Sequence, residues 1–302
     1  MKKIWSWIIF ILIAVIAFFF IRENIHEFSQ VPEFSFVYII PLVILVLLNL
    51  FANGLRIKLY SEYYNINLKP IEWFGLVSIS IMGNHLTPFR AGHGARAIYL
   101  KKKYKLPYTS FLTTMASSYV IKFLVYGGLG IILSLLILKY YNIFNKFIFL
   151  LLVVLFIISL VAIFTPPIFK KNKNKFLNRF IRLLNEWKVM SKNHNFLYKI
   201  ISIDVIVWIL RSFRLFFAFK AFSFDVPFLF ILLIAVLSVL SVFLSLTPAG
   251  IGVLETVVAL SAEAIGIGFV GGVYAGVLDR VVSVIIIFIF GPIFSYKLMR
   301  NL

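Results

Sequence analysis

The chain has 302 residues, of which 62% are hydrophobic and 14% are charged, whereas soluble domains average about 45–50% apolar and about 25% charged residues. This composition excludes an ordinary soluble domain and predicts an integral membrane protein. The formal net charge of +19 comes from lysines and arginines beside hydrophobic runs, which is typical of loops next to anionic lipids, so we expect no nucleic-acid partner.

Apolar runs long enough to cross a bilayer as helices recur along the chain, and none alternates as a β-barrel strand does. The predicted fold is therefore all-α, a polytopic membrane bundle. The first run resembles a signal peptide but lacks a small-x-small cleavage site, so we expect it to remain as a span. The predicted spans are about 4–21, 34–55, 108–138, 143–164, 197–222 and 270–296, with shorter apolar stretches at 71–87 and 226–246.

Basic residues beside the spans predict how the chain is oriented in the inner, or cell, membrane. Those expected in the cytoplasm, together with both termini, are Lys2, Lys3, Arg56, Lys58, Lys69, Lys101, Lys102, Lys103, Lys105, Lys297 and Arg300. Because both flanks of 71–105 are then cytoplasmic, this stretch is predicted to enter the membrane and return as a re-entrant hairpin in a protein-lined or wet cavity. For 226–268, charge leaves a hairpin and two full crossings equally open.

One sizeable polar loop, 165–195, carries eight Lys or Arg residues from Lys170 to Lys192. The spacing of Phe176, Phe180, Leu184 and Trp187 predicts an amphipathic helix lying on the anionic inner leaflet. A solvated connector with a short helix is the alternative interpretation.

The sequence LTPFRAGHGAR at 86–96 is echoed by LTPAGIGVLE at 246–255, and each copy follows an apolar segment and precedes a long span. In the predicted orientation the spans before the two copies run in opposite directions. We therefore predict one domain over 1–302, with six to eight spans and two inverted repeats at about 34–138 and 197–296. Inverted repeats with broken helices are typical of transporters, whose binding site lies at the repeat interface.

Both motifs combine helix-breaking residues with flexible ones. Pro88 and Pro248 each lack a backbone donor and clash with the preceding turn. The glycines that permit tight turns are Gly92, Gly94, Gly250 and Gly252. Amide groups freed at such a break can bind phosphate or carboxylate.

Ionisable residues within predicted membrane segments are candidate functional residues, because an unpaired charge there is unfavourable by several kcal/mol. They are Arg90, Arg96, Asp204, Arg211, Arg214, Glu255, Glu263, Asp279 and Arg280. Mutual pairing that only holds the bundle together is one interpretation. Arginines outnumber acids, however, and a surplus guanidinium predicts an anionic ligand such as a lipid phosphate.

His85 and His93 fall short of a usual metal ligand set, and the chain has no cysteine, so we expect neither a metal nor another cofactor. Lys122 lies in the middle of a predicted span. It is open whether this lysine is neutral and buried, paired with an acid, or directed into a cavity.

Three segments, NHLTPFRAGHGARAIYL with its following basic loop, LTPAGIGVLETVVAL and GVLDRVVSVIIIFIFGP, resemble the lysylphosphatidylglycerol synthase transmembrane-region family. This flippase-like membrane domain occurs fused to a lysyltransferase domain or alone. The resemblance implies movement of an aminoacylated phospholipid or a lipid-linked sugar between leaflets. The residues it points to are Asn84, Pro88, Arg90, Gly92, Arg96, Pro248, Gly250, Gly252, Glu255 and Arg280.

The chain departs from the family pattern at two places. His93 stands where the family often has an acid, and SSYVIK at 117–122 replaces an acidic-arginine pair. Both departures count against a lysyl-lipid substrate. No synthase domain follows Leu302, so we expect no aminoacylation by this chain and name a separate lipid-modifying enzyme as a candidate partner.

These observations predict an inner-membrane lipid transporter or flippase, with no catalytic residue, for an anionic or modified phospholipid or a lipid-linked glycan. In the predicted site the phosphate is bound by Arg90, Arg96, Arg211 and Arg280, while Glu255 balances charge. No nucleotide-binding loop is present to drive transport directly. The alternatives are an enzyme that uses a histidine on a lipid headgroup and a transporter of small solutes or ions; the oligomeric state is open.

Overall fold

A computed structural model describes residues 33–87, 91–164, 175–241, 250, 252–264, 266 and 268–300. Within these ranges the chain is helical and contains no strand, which confirms the predicted fold class. A 3-10 turn at Phe36–Tyr38 precedes the first helix. The helices are α1 Ile39–Tyr63, α2 Pro70–Leu86, α3 Gly92–Tyr104, α4 Tyr108–Tyr141, α5 Lys146–Phe164, α6 Lys175–Ser191, α7 His194–Ala221, α8 Phe228–Leu240, α9 Val253–Ala264 and α10 Phe269–Met299.

Four helices, α1, α4, α5 and α10, are long and apolar enough to cross a membrane. They match four of the predicted spans, while the predicted span 4–21 lies outside the described residues. Helix α7 has 28 residues and a length of about 42 Å, but Asp204, Arg211 and Arg214 make it more polar. This length exceeds the roughly 30 Å hydrocarbon core. The structure pairs the three charged side chains inside the bundle.

Helix α1 continues past the predicted span end at 55. Arg56, expected in a flanking loop, is instead a buried helical residue with an exposed fraction of 9%. The prediction is wrong here because Asp204 on α7 neutralises the guanidinium at 2.7 Å, which removes the reason for the helix to stop at the charge.

The predicted hairpin at 71–105 is formed by α2 and α3. Proline at the first position of α2 needs no hydrogen-bond partner there. Near the base of the hairpin, Lys103 of α3 contacts Glu72 of α2 at 2.8 Å, and near the tip Gly92 lies against Gly83. The 17 residues of α2 span about 26 Å, which is shorter than the roughly 30 Å hydrocarbon core.

Glu72 closes the base of this hairpin, outside the long apolar helices. Its buried carboxylate accepts hydrogen bonds from the Tyr99 hydroxyl at 2.6 Å, the Lys69 backbone N–H at 2.7 Å, and Lys103 and Tyr104 at 2.8 Å. Burial alone raises the pKa of the Glu72 carboxyl, but the hydrogen bonds from Lys103, Tyr99, Lys69 and Tyr104 together lower it from 4.5 to about 2.

We expect Glu72→Gln to lower the free energy of unfolding in detergent at neutral pH by about 1–3 kcal/mol, because a charged hydrogen-bond acceptor is lost. The thermal unfolding temperature should fall accordingly. Because the folded-state pKa is depressed, this stabilisation is present above pH 4.5 and is lost as the pH falls toward 2. Tryptophan fluorescence against temperature at several pH values measures it. Glu62→Gln, which removes only an exposed pair with Lys58, is the control; an equal Glu72→Gln deficit at every pH contradicts the assignment.

The second half of the chain also places a pair of short helices between two long ones, but at the opposite end of the bundle. Helices α1 and α7 are antiparallel, because Tyr63 contacts Phe196 at one end and Tyr38 contacts Phe217 at the other. The outer ends of α8 and α9 connect to the end of α7 and the start of α10, whereas those of α2 and α3 connect to the end of α1 and the start of α4. The two helix pairs therefore enter the bundle from opposite ends.

Packing around the central α1–α7 pair also repeats: α2 packs on α10, and α8 packs on α4. The two halves differ in one respect. Helix α9 packs extensively along α10, where a Cβ on Gly272 would lie 2.5 Å from the Ala259 Cα, whereas α3 packs much less on α4. The looser packing leaves a cavity in the first half.

Helix α6 carries part of the predicted amphipathic helix. Its Trp187 is buried and donates to the Ala162 carbonyl of α5 at 2.9 Å, and Glu186 accepts from Tyr64 and Thr113 near the bases of α1 and α4. Phe180 is exposed. The helix thus docks on the protein through Trp187 and leaves Phe180 on the outside.

Candidate functional site

A cavity of about 320 Å³ lies between α1, α2, α3 and α4. Its basic lining residues are Arg56 of α1, Arg96 of α3 and Lys122 of α4, and among the lining residues that the structure describes there is no carboxylate. The sequence left three interpretations of Lys122 open, and the structure places this lysine at the cavity, with its ammonium 5.8 Å from the Tyr119 ring. The lining is therefore cationic.

Arg96 has no carboxylate partner within the part of the chain that the structure describes. Its Nη2 donates to the Met115 thioether at 2.9 Å, and its guanidinium lies 5.1 Å from the centre of the Phe111 ring. A thioether is a weak acceptor, and a ring face offsets only part of a positive charge. Arg96 therefore retains the capacity to bind an anion in the cavity.

Arg56 is neutralised by Asp204, whose side chain is completely buried. Sequence reasoning missed Arg56 as a cavity residue. The continued helical spacing of Asn53, Ile57 and Tyr60, all of which line the cavity, was the signal that this segment remains inside the bundle.

The amide and imidazole groups of the first motif also face this cavity. Asn84 Nδ2 lies 3.5 Å from His93 Nε2, and His85 Nδ1 lies 2.9 Å from the Ile81 carbonyl, which assigns the proton to Nδ1. Across the described ranges no three His, Cys, Asp or Glu residues group as metal ligands. The site is polar and cationic, with hydrogen-bond donors from Asn84 and Arg96.

The second motif forms a closed set of contacts apart from this cavity. Gly250 and Gly252 have φ values of 67° and 83°, a region that favours glycine. Arg280 donates to the Gly250 carbonyl at 3.1 Å, the Gly252 N–H donates to Glu255 at 3.1 Å, and Glu255 forms an ion pair with Arg280. These contacts clamp the start of α9 against α10.

A further buried ion pair lies between α7 and α10. The Asp279 carboxylate is 2.6 Å from Arg211 and 2.7 Å from Arg214, with 1% of its side chain exposed. Arg211 also donates to Ser238 at 3.3 Å, and Arg214 donates to Ser283. Asp279 therefore holds two arginines that would otherwise repel each other.

We expect Asp279→Asn to destabilise the fold strongly, by about 3–5 kcal/mol, because it leaves two buried guanidinium groups without their counter-charge. Asp225→Asn is the matched control, since Asp225 is 90% exposed in its pair with Lys220. The thermal unfolding temperature of each variant in detergent measures the difference. Equal unfolding temperatures for the two variants contradict the prediction.

The structure separates the sequence-predicted site residues into two groups. Three lie at the first hairpin and its cavity: Asn84, Gly92 and Arg96. Five belong to the contacts of the second half: Arg211, Gly250, Gly252, Glu255 and Arg280. Three lie outside the described residues: Pro88, Arg90 and Pro248. Glu263 is an exposed residue near the end of α9.

Comparison with known proteins places this arrangement in a family. The family profile described as "Lysylphosphatidylglycerol synthase TM region" matches residues 5–291. A protein of Methanothermobacter thermautotrophicus named "UPF0104 membrane protein" is 24% identical to this chain in an alignment that covers 88% of this chain and 89% of that protein. The family match extends from before α1 into α10, and the chain belongs to the lysylphosphatidylglycerol synthase TM region family.

Proposed function

We propose that the chain transports a lipid with an anionic, phosphate-bearing headgroup between the leaflets of the cell membrane. The headgroup occupies the cavity between α1 and α4, and the acyl chains stay in the bilayer. The observation that carries this proposal is Arg96, which faces a cavity whose described lining includes basic residues and no carboxylate. A guanidinium binds phosphate through parallel hydrogen bonds.

The charge of the cavity also supports a choice of headgroup. An aminoacylated lipid, such as the one in the family's name, carries an ammonium group that an acid would neutralise. Among the described residues that line the cavity there is no acid, and the Arg96 guanidinium has no described acidic partner, so a cationic headgroup would face like charge. The proposed substrate is therefore an anionic phospholipid such as phosphatidylglycerol, or a lipid-linked glycan with a phosphate.

The arrangement of the hairpins supports transport over catalysis. Two short helix pairs that enter from opposite ends are what the inverted repeats predicted at about 34–138 and 197–296 require, and many transporters use such repeats to alternate access to one site. Lys101 to Lys103 lie at the base of the first pair, and positively charged ends favour the cytoplasm. The first cavity then receives lipid from the cytoplasmic side, with both chain termini on that side.

Reconstitution of the purified chain in liposomes tests the proposal. Phosphatidylglycerol labelled on its headgroup is mixed into both leaflets, and the fraction that a membrane-impermeant quencher reaches is followed with time. In protein-free liposomes about half of the label, that in the outer leaflet, is quenched. We expect the quenched fraction of phosphatidylglycerol to rise above one half when the protein is present, while that of an uncharged glycolipid with the same label stays at one half. Quenching limited to half for every lipid refutes transport. Mass spectrometry of the recovered lipids and uptake of a soluble anion test the enzyme and solute-transporter alternatives.

A further inference from the structure

The outer side of the α3–α4 pair carries an apolar groove that shares lining residues with the cavity. Ala97 of α3 and Tyr108 and Leu112 of α4 line this groove. Phe111 and Met115 line both the groove and the cavity. Tyr108 and Leu112 are each more than half exposed, so the groove faces outward from the bundle.

We infer that the seam between α3 and α4 is the lateral opening through which the acyl chains of the bound lipid reach the bilayer. The inference rests on the proposed function, since it assigns the path of the same lipid. A phospholipid joins an anionic headgroup to apolar chains, and here a cavity with basic lining residues adjoins an apolar groove. Because the cavity matches the headgroup and the groove matches the apolar chains, we assign the groove to the acyl chains.

The described contacts that Arg96 of α3 makes with α4 are weak, and neither is with a charged group. Its guanidinium meets the Met115 thioether and the Phe111 ring, and the described ion pairs include none between α3 and α4. Methionine has three rotatable bonds and a polarisable sulfur, so it yields to a ligand with little strain. Arg96 can therefore turn toward a bound lipid without breaking an ion pair with a described residue.

The matching seam of the second half is closed. Glu255 of α9 pairs with Arg280 of α10, and Gly272 brings the two helices into backbone contact. Arg280 lies eleven residues after the start of α10, and Tyr119 lies eleven residues after the start of α4. At the place where the second half has its clamping arginine, the first half has a tyrosine that lines the cavity and the groove.

Cross-linking from the groove tests the inference, and the absence of natural cysteines makes single-cysteine variants specific. Leu112→Cys in the groove is compared with Ile132→Cys, which is exposed elsewhere on α4. Each carries benzophenone-maleimide in bilayers of equal parts phosphatidylglycerol and an uncharged glucosyl diacylglycerol. After illumination, mass spectrometry gives the ratio of the two attached lipids.

At position 112 we expect the ratio of attached phosphatidylglycerol to attached glucosyl lipid to be roughly tenfold higher than in the bilayer, and at position 132 to equal the bilayer ratio. Adding Arg96→Gln should return position 112 to the bilayer ratio. Equal ratios at 112 and 132, with phosphatidylglycerol still transported in liposomes, would overturn the lateral opening and leave the transport function standing. Equal ratios with no transport would overturn both.

Discussion

Replacing Gly92 with alanine is expected to disrupt the first hairpin, with a loss of about 3 kcal/mol or more in the free energy of unfolding. A Cβ at this position would lie 2.2 Å from the Ser80 carbonyl oxygen and 2.4 Å from the Asn84 nitrogen. Both are backbone atoms of α2, so no side chain can rotate to relieve the overlap. Helices α2 and α3 would have to separate at the tip, next to the cavity.

Gly94→Ala provides the matched control two residues away. Gly94 is also helical, but a Cβ there meets no atom within 4 Å, and alanine favours a helix over glycine by about 0.5–1 kcal/mol. We expect this variant to unfold at the same temperature as the native chain or higher. Thermal unfolding in detergent compares the two, and equal stability of Gly92→Ala and Gly94→Ala would contradict the close helix contact.

Arg96→Gln is expected to weaken binding of an anionic lipid by roughly 10- to 100-fold, because a charge-assisted hydrogen bond contributes about 1.5–3 kcal/mol. The same change should not reduce thermal stability. Arg96 contacts a thioether and a ring in place of a carboxylate, so its replacement leaves no buried charge without its partner. Loss of binding with retained stability distinguishes a ligand-binding role from a structural one.

Titration of a short-chain, water-soluble phosphatidylglycerol into the detergent-purified protein measures this effect. Arg182→Gln on α6 makes the same change of charge at an exposed position and is expected to bind as the native chain does. If Arg96→Gln unfolds at a clearly lower temperature and binds the lipid unchanged, Arg96 is a structural residue.

Much of the fold follows from the sequence, because helix length and hydropathy are local properties. The long apolar runs correspond to α1, α4, α5 and α10, and the basic residues on both sides of 71–105 predict a hairpin that the α2–α3 pair forms. Pro70 begins α2 at the base of the hairpin, and Gly92 begins α3 just after the tip. The same charge pattern, together with the repeated Leu-Thr-Pro motif, predicts that the two halves are inverted.

The assignment of arginines to ligand or to structure does not follow from the sequence, because their partners are distant along the chain. Arg56 meets Asp204 from α7, and Arg211 meets Asp279 from α10. The sequence shows a surplus of arginine but not which one is left over. Among the predicted intramembrane arginines that the structure describes, Arg96 has no acidic partner.

The difference between the two seams is also invisible in the sequence motifs. Both halves carry the Leu-Thr-Pro segment and glycines, yet the α9–α10 seam is clamped by Glu255 and Arg280 while the α3–α4 seam borders the cavity. The absence of an acidic-arginine pair at 117–122 was the local sign of this difference. Whether a missing ion pair leaves the α3–α4 seam open depends on how these helices pack. That packing is set by residues far apart along the chain.

The transbilayer rate of headgroup-labelled phosphatidylglycerol in liposomes, compared between the native chain and Arg96→Gln, tests the central claim most directly. We expect the native chain and the Arg182→Gln control to expose the inner-leaflet label to the quencher at equal rates. Arg96→Gln should fall close to the protein-free rate while remaining folded. Equal rates for Arg96→Gln and the native chain would show that the cationic cavity does not carry the lipid headgroup.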